Sequence, residues 1–342
     1  MRNCKSRNFA PLLLALLVTI LLFVANIFFG SVDIPFADVC DILSGGEPRH
    51  ESWRLILLQS RLPQAVVALL GGMSLSAAGL MLQTLFNNPL AGPEVFGINS
   101  GAGLGVAVVM LLMQGTFVAG SMTVGGYMAV LAGAFLGAIL TIGVILLFST
   151  LLRGNIFLLI AGMSLSYLAS SVISLLNYFS TAEGVHSYLI WGMGNFGGVS
   201  LQQLPLFATF SVVALVLSLM MMKPLNALLL GNSYAANLGV RTKRVRALLL
   251  LLTGLLAAVV TAYCGPITFV GLAVPHVARM LHRTNNHRIL LPMAIILGGA
   301  TTLLCNIICQ LPGESGLVPL GAVTPLLGAP VILYVVLKNR GV

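Results

Sequence analysis

The sequence predicts an all-α fold, a polytopic transmembrane helical bundle of about ten helices with both termini cytoplasmic, and three observations predict it. The 342 residues are 58% hydrophobic and only 7% charged, whereas soluble domains carry roughly a quarter charged residues. Mean hydropathy is +1.04, and charged or Gly/Pro/Asn-rich breaks divide the chain into about ten apolar stretches that reach, or nearly reach, the roughly 20 helical residues a hydrocarbon core requires. The charges are also sorted by sign along the chain. A water-soluble fold is excluded, and residues 1–342 read as one transmembrane domain.

The stretches run approximately 10 to 30, 62 to 86, 97 to 113, 123 to 152, 156 to 180, 201 to 222, 247 to 264, 266 to 281, 289 to 310 and 324 to 338. The first follows Arg2, Lys5 and Arg7. Its apolar run exceeds the 7 to 15 residues or so of a signal core, and no A-x-A-like site follows, so it reads as a first transmembrane helix. The second opens on Arg61-Leu62-Pro63; proline in a first turn lacks only an amide that would be unpaired anyway. Small residues then crowd Gly71 to Gly79 and on to Gln83, and Gly97, Gly101 and Gly105 form a GxxxGxxxG array, a pattern for close helix packing. The fifth carries Ser164, Ser166, Ser170, Ser174 and Asn177 at spacings of two to four. Such a stripe serves either as interhelical hydrogen-bond glue or as the wet lining of a substrate path, and the spacing leaves both open.

With the N-terminus inside, the cytoplasmic segments hold Arg2, Lys5, Arg7, Arg153, Lys223, Arg241, Lys243, Arg244, Arg246, Arg279, Arg283, Arg288, Lys338 and Arg340, which is 14 of the 17 basic residues. Arg49, Arg54 and Arg61 fall outside. The positive-inside rule selects this orientation. Asp33, Asp38, Asp41, Glu47, Glu51, Glu183 and Glu314 all fall in external segments, and Glu94 in an internal loop. The net charge of +9 thus expresses sidedness, and basic residues scattered over short loops do not make a nucleic-acid face.

No carboxylate or histidine is expected at the midplane, which disfavours a proton- or sodium-coupled transporter, because such relays use ionisable groups inside the membrane. The four lysines, Lys5, Lys223, Lys243 and Lys338, stand in no G-x-x-x-x-G-K-[ST] context, so the chain cannot cradle and hydrolyse ATP alone. It is either a passive pore or is driven by a separate cytoplasmic subunit. The histidines, His50, His186, His276, His282 and His287, form no H-E-x-x-H, and no G-x-S-x-G is present, which leaves an integral-membrane enzyme as a distant third reading. Cys4, Cys40, Cys264, Cys305 and Cys309 contain no C-x-x-C and support neither a metal site nor a disulfide framework; no cofactor is expected.

Several motifs stand in a telling order. Arg61-Leu62-Pro63 is followed by Asn87-Asn88-Pro89-Leu90-Ala91-Gly92-Pro93 and the glycine array; Tyr188 to Gly198 reads Y-L-I-W-G-M-G-N-F-G-G; Leu230-Gly231, Ala235 and Leu238-Gly239-Val240 follow. Gly265-Pro266-Ile267-Thr268-Phe269-Val270-Gly271-Leu272 leads to Pro275-His276 and Arg279, then His287-Arg288, and Gly321 to Pro330 reads G-A-V-T-P-L-L-G-A-P. Together, from about Ile20 to Leu337, these motifs resemble the permease family of ABC importers for vitamin B12, ferric siderophores and haem.

The resemblance implies ten transmembrane helices per subunit in a bacterial inner membrane, and a homodimer or a pairing with a paralogous permease. It also implies two cytoplasmic ATPase subunits and an extracytoplasmic substrate-binding protein. A ferric siderophore is the first expectation for the ligand, with cobalamin and haem behind. Within residues 225–246, Leu230, Gly231, Ala235, Leu238, Gly239, Val240 and Arg241 match the coupling helix that grips the ATPase, with Asn232 standing where the family commonly has an acid; the plain alternative is a loop whose basic residues set topology and touch anionic lipid. Asn88 and Leu90 match part of the inner gate, with Asn155 in the next internal loop. Arg61 matches a basic rim that docks the binding protein, although Gln64 and Gln310 stand at two positions where cations are usual, leaving Arg49 and Arg54 as substitutes. His276 and Arg279 are expected to cap a helix end, since cations suit helix C-termini; His282 and His287 receive no role.

Overall fold

The computed structural model describes residues 3–46, 48–112, 124–152, 155–311 and 318–339. Arg2, Glu47, Arg153, Gly154, Glu314 and Arg340, which enter the sidedness and gate expectations, lie outside the described residues, as does the Asn155 side chain.

Among the described residues the chain is entirely helical. Helix α1 spans Asn3–Phe28, and the short helices α2 (Phe36–Leu43) and α3 (Glu51–Leu55) follow. A π-helical turn at Ile56–Arg61 joins α3 to α4 (Leu62–Phe86), and a 3-10 turn at Pro93–Phe96 precedes α5 (Ile98–Ala107), which a second π turn extends over Val108–Leu112. Then come α6 (Val124–Leu151), α7 (Asn155–Phe179), α8 (Ala182–Gly192), α9 (Leu204–Met220), α10 (Met222–Leu228), α11 (Asn232–Asn237), α12 (Thr242–Cys264), α13 (Val270–His282), α14 (His287–Gln310) and α15 (Leu320–Asn339).

Among the described residues six helices are long and apolar enough to cross a membrane: Ala10–Phe28, Glu51–Phe86, Gly126–Leu151, Ile156–Phe179, Thr242–Cys264 and His287–Gln310. A seventh appears if α9 and α10, bent by 50° at their junction, count as one span. Among the described residues helix covers part or all of each expected stretch, and the one at 266–281 falls short of a full crossing. The reason is plain in α13. Gly265 and Phe269 take left-handed backbone, with φ of +75° and +66°, so the helix starts at Val270 rather than 266. Its 13 residues cover about 20 Å at 1.5 Å per residue, against a core of about 30 Å.

Helix α4 is apolar around most of its circumference and is buried among α14, α12, α13, α9 and α1, as a helix without a polar face must be. Small residues set its distances. A Cβ built on Gly72 would collide with the Gly298 carbonyl and the Thr302 hydroxyl of α14, and one on Gly79 with the backbone of Gly271 in α13. Thr302 Oγ1 donates to Ala68 O of α4 at 2.6 Å, so the α4–α14 crossing is both tight and hydrogen-bonded. The predicted glycine array does the same for α5: Gly101 and Gly105 meet Gly137 and Gly133 of α6 with no room for a side chain.

Helices α1 and α7 turn much of their apolar surface outward, including Leu13, Leu14, Leu17 and Leu21 of α1 and Ile156, Ile160, Leu168 and Leu175 of α7. That outward surface is what a lipid or protein surround must cover. The basic loops gather at the end that holds the last turn of α4, α10, α11, the start of α12 and the α13–α14 turn, here termed the basic end.

Candidate functional site

Three groups of predicted residues are assembled by the fold. The first is at the basic end. Gly231, with φ of +96°, and Gly239, with φ of +82°, bracket α11 in conformations that favour glycine. Ala235 is fully buried, whereas Leu230, Tyr234 and Leu238 are 60%, 68% and 65% exposed. Tyr234 and Leu238 are four apart and share a helical face. They present an apolar patch beside exposed Arg241, Lys243 and Arg244. Tyr234 was not among the residues singled out by motif; its signal is a lone aromatic four residues before leucine in a polar segment.

The second group lies beside it. Asn87 ends α4 in left-handed backbone, φ +46°. Asn88 then builds the turn: its Oδ1 accepts the Leu90 N–H at 2.9 Å, and its carbonyl accepts the Ala91 N–H at 3.1 Å. Leu90 is 48% exposed. His276, expected at a helix end, is buried in the middle of α13, and its Nε2 lies 2.9 Å from the Pro89 carbonyl. A carbonyl only accepts, so the imidazole donates to the turn. Arg279 donates to Gln83 Oε1 at 2.7 Å, and Gln83 Nε2 donates to Leu272 O at 3.1 Å. Arg279 is in the last turn of α13, as a cap requires, but both side chains reach across to α4 and its exit turn.

Glu94 lies in the expected connection, on its 3-10 turn at Pro93–Phe96. After the turn at Asn88 the chain re-enters the bundle, so that Val95 and Phe96 pack on Gly162, seven residues into α7, and Pro93 packs on Gly271 of α13. The Glu94 carboxylate accepts the N–H of Phe269 and its own N–H, at the start of α13, where an acid suits the helix dipole. A partly exposed carboxylate of this connection is thus the partner of the left-handed backbone at Phe269.

At the opposite end Arg61 does not stand on a rim. It is 4% exposed and donates to Ile27 O at 3.1 Å, Phe28 O at 2.8 Å and Val32 O, closing the C-terminus of α1. That geometry does not fit the expected docking role, because the guanidinium is spent inside the chain. Arg61→Ala is expected to destabilise the detergent-solubilised protein by about 3 kcal/mol, given roughly 1.5–3 kcal/mol per hydrogen bond to a charged group, while leaving partner affinity unchanged. A thermal melt beside a binding titration checks this, and lost affinity at full stability would contradict it. Arg49 stands out in solvent, paired at 3.6 Å with buried Asp38.

Gln64 and Gln310 do come together. They line one cavity of about 150 Å³ with Asn195, Asn306 and Met193. Gln64 Nε2 donates to Asn306 Oδ1 at 2.9 Å, and Asn306 Nδ2 to Asn26 Oδ1 at 2.7 Å. This polar chain crosses α4, α14 and α1.

On α7, Ser164, Ser170 and Ser174 are exposed, together with Tyr167, Ser171 and Tyr178, whereas Ser166 and Asn177 are partly buried. Ser166, Ser171 and Ser174 donate to Gly162 O, Tyr167 O and Ser170 O of their own helix. These three hydroxyls are satisfied within their own helix, and the spacing 164, 167, 171, 174, 178 puts Ser164, Tyr167, Ser171, Ser174 and Tyr178 along one outward stripe.

A bundle of apolar helices, several long enough to cross a membrane, with a gripped turn and a glycine-bracketed short helix at its basic end is the architecture of a polytopic membrane protein. The chain belongs to the FecCD transport family, whose model matches residues 17–338, a family of ABC-importer permeases and not of enzymes. It is 36% identical over 296 residues to the vitamin B12 import system permease protein BtuC of Klebsiella pneumoniae, covering 86% of each chain. To the protein of the same name from Salmonella arizonae it is 37% identical over 286 residues, covering 83% of this chain and 84% of that one. Among solved structures it superposes on a metal-chelate type ABC transporter in an inward-facing conformation with a TM-score of 0.83, at 28% identity over 96% and 98% of the two chains. PsaBC from Streptococcus pneumoniae shares the fold at a TM-score of 0.52 and 16% identity, covering 86% and 94%.

Proposed function

We propose that this chain is the translocating subunit of a binding-protein-dependent importer for a large metal chelate, crossing a bacterial inner membrane ten times with its basic end and both termini in the cytoplasm. Excess Lys and Arg at that end supports the orientation. In this reading α11, within residues 225–246, docks the ATPase through Leu230, Tyr234 and Leu238, with Arg241 and its basic neighbours at the rim. The exposed apolar patch on a glycine-bracketed helix is the observation that carries the proposal, since an aqueous surface does not leave such a patch uncovered without use.

The turn at Asn88 and Leu90 acts as the inner gate, with the start of α7 at Asn155 beside it. Gln64 and Gln310, around their shared cavity, and Arg49 in solvent form the face that meets the binding protein. The hydroxyl stripe of α7 faces a second permease copy across a wet path. Hydroxyls without fixed charges suit a bulky neutral chelate. Glu94, already holding two backbone N–H groups, is no link in a proton relay.

Relatives named for vitamin B12 import support a reading in which cobalamin comes ahead of the ferric siderophore first expected from sequence. The metal-chelate type neighbour keeps siderophore and haem as the second reading. The test is uptake of radiolabelled cyanocobalamin and ferric siderophores into proteoliposomes holding the permease, its cognate ATPase and binding protein. ATP-dependent accumulation is expected for one of them; equal flux without the ATPase would mean a passive channel and would overturn the proposal.

A further inference from the structure

We propose that Asn226 and His287 are positioning residues that tie the coupling segment to the gate turn through a hydrogen-bond chain centred on the buried His287 ring, an inference that rests on the reading of α11 as the ATPase contact. Asn226 sits on α10, the short helix kinked from α9 and separated from α11 by three residues. Its Oδ1 accepts the backbone N–H of His287 at 2.8 Å and lies 3.0 Å from His287 Nδ1. Its Nδ2 donates to Asn286 Oδ1 at 2.9 Å, and that same oxygen caps α14 by accepting the Arg288 N–H at 3.0 Å.

The proton positions follow from these partners. A backbone N–H can only donate, so the amide must present its oxygen to His287, and Nδ1 against the same oxygen must carry the hydrogen. In the neutral ring Nε2 is then an acceptor, and Thr84 Oγ1 reaches it at 2.8 Å by turning its single hydrogen from Leu80 O, 3.0 Å away on its own helix, to the ring. Thr84 is three residues from Asn87, where α4 ends. His287 is 1% exposed and its bond to Thr84 is buried, while its bonds to Asn226 are partly buried and the Asn226–Asn286 bond lies at the surface.

On the far side of the same turn, Gln83 is held by Arg279, its carbonyl accepts the Asn88 N–H at 3.1 Å, and His276 holds Pro89. The last turn of α4 is therefore gripped by α13 on one side and by α10 through α14 on the other. A shift of α10 pulls the first turn of α14 and, through the imidazole, the residue that precedes the gate. Buried hydrogen bonds are directional and break in discrete steps, which suits a link between two arrangements better than sliding apolar contact does. The role becomes a physical claim only when both ends are shown to respond.

The experiment uses the permease–ATPase complex in inside-out vesicles carrying Leu90→Cys, and follows labelling by a membrane-impermeant maleimide with and without ATP, beside the ATPase rate. The parent complex is expected to change its labelling rate at least threefold on ATP addition. Asn226→Leu and Thr84→Val are expected to abolish that change while ATPase activity stays within twofold. Asn226→Asp keeps both acceptor bonds to His287 and is expected to restore it. Full ATP-dependent labelling in Asn226→Leu and Thr84→Val, or a parallel loss of ATPase activity and labelling response, would overturn the inference. If the parent complex binds no ATPase at all, the coupling reading itself fails and takes this inference with it.

Discussion

Tyr234→Asp is expected to abolish ATP-driven uptake by severing the permease from its ATPase, without disturbing the permease fold. Tyr234 is 68% exposed, on a face it shares with Leu238, so its removal leaves no cavity in the bundle. Aromatic anchors at interface centres are worth 2 kcal/mol or more, up to about 4, and a carboxylate forced into an apolar contact adds its own desolvation cost. A combined loss of about 3–4 kcal/mol corresponds to a hundredfold or greater weakening. Co-purification of the ATPase with solubilised permease measures it, with circular dichroism as the fold control. Undiminished co-purification would remove α11 as the docking helix. Gly239→Val acts through backbone instead: φ of +82° is a region β-branched residues avoid, so the patch would be misaimed although its side chains are all present.

Gly79→Val is expected to have the largest effect on stability. The added Cβ would meet the Gly271 carbonyl oxygen, carbon and Cα, which are backbone atoms with no rotamer to retreat into. The helices α4 and α13 must separate, undoing close packing over neighbouring turns. Overpacking costs about 1–3 kcal/mol where side chains can adjust; here the cost is expected at about 3 kcal/mol or above, enough to leave little monodisperse protein after solubilisation. Gly143→Ala is the matched control, because a Cβ there meets nothing within 4 Å and alanine favours helix by about 1 kcal/mol. Size-exclusion profiles and thermal melts of the two variants decide it. A well-folded Gly79→Val would mean that the α4–α13 crossing is looser than its geometry.

The class of fold was legible because lipid leaves so few choices: an apolar stretch must close its own backbone hydrogen bonds as a helix, and runs such as Ala10–Phe28 and Thr242–Cys264 announce themselves. The pairing of Gly101 and Gly105 with α6 was half legible, since spacing names the face but not the partner. The length of α13 was not, because hydropathy runs on through Ile267 and Thr268 while Phe269 turns left-handed under tertiary constraint from Glu94.

Charge sorting along the chain and the motif order about Asn88 and Leu230 were readable in one dimension, because sidedness and turn chemistry are local properties of residues. Three-dimensional packing decided the fate of individual polar groups. It withdrew Arg61 into the carbonyls that end α1, set Glu94 on the N–H of Phe269, and bound His287, which sequence left without a role, between Asn226 and Thr84. The physical reason is that a polar side chain inside an apolar bundle must find a partner, and these partners stand 34, 61 and 203 residues apart in sequence for Arg61–Ile27, His287–Asn226 and His287–Thr84.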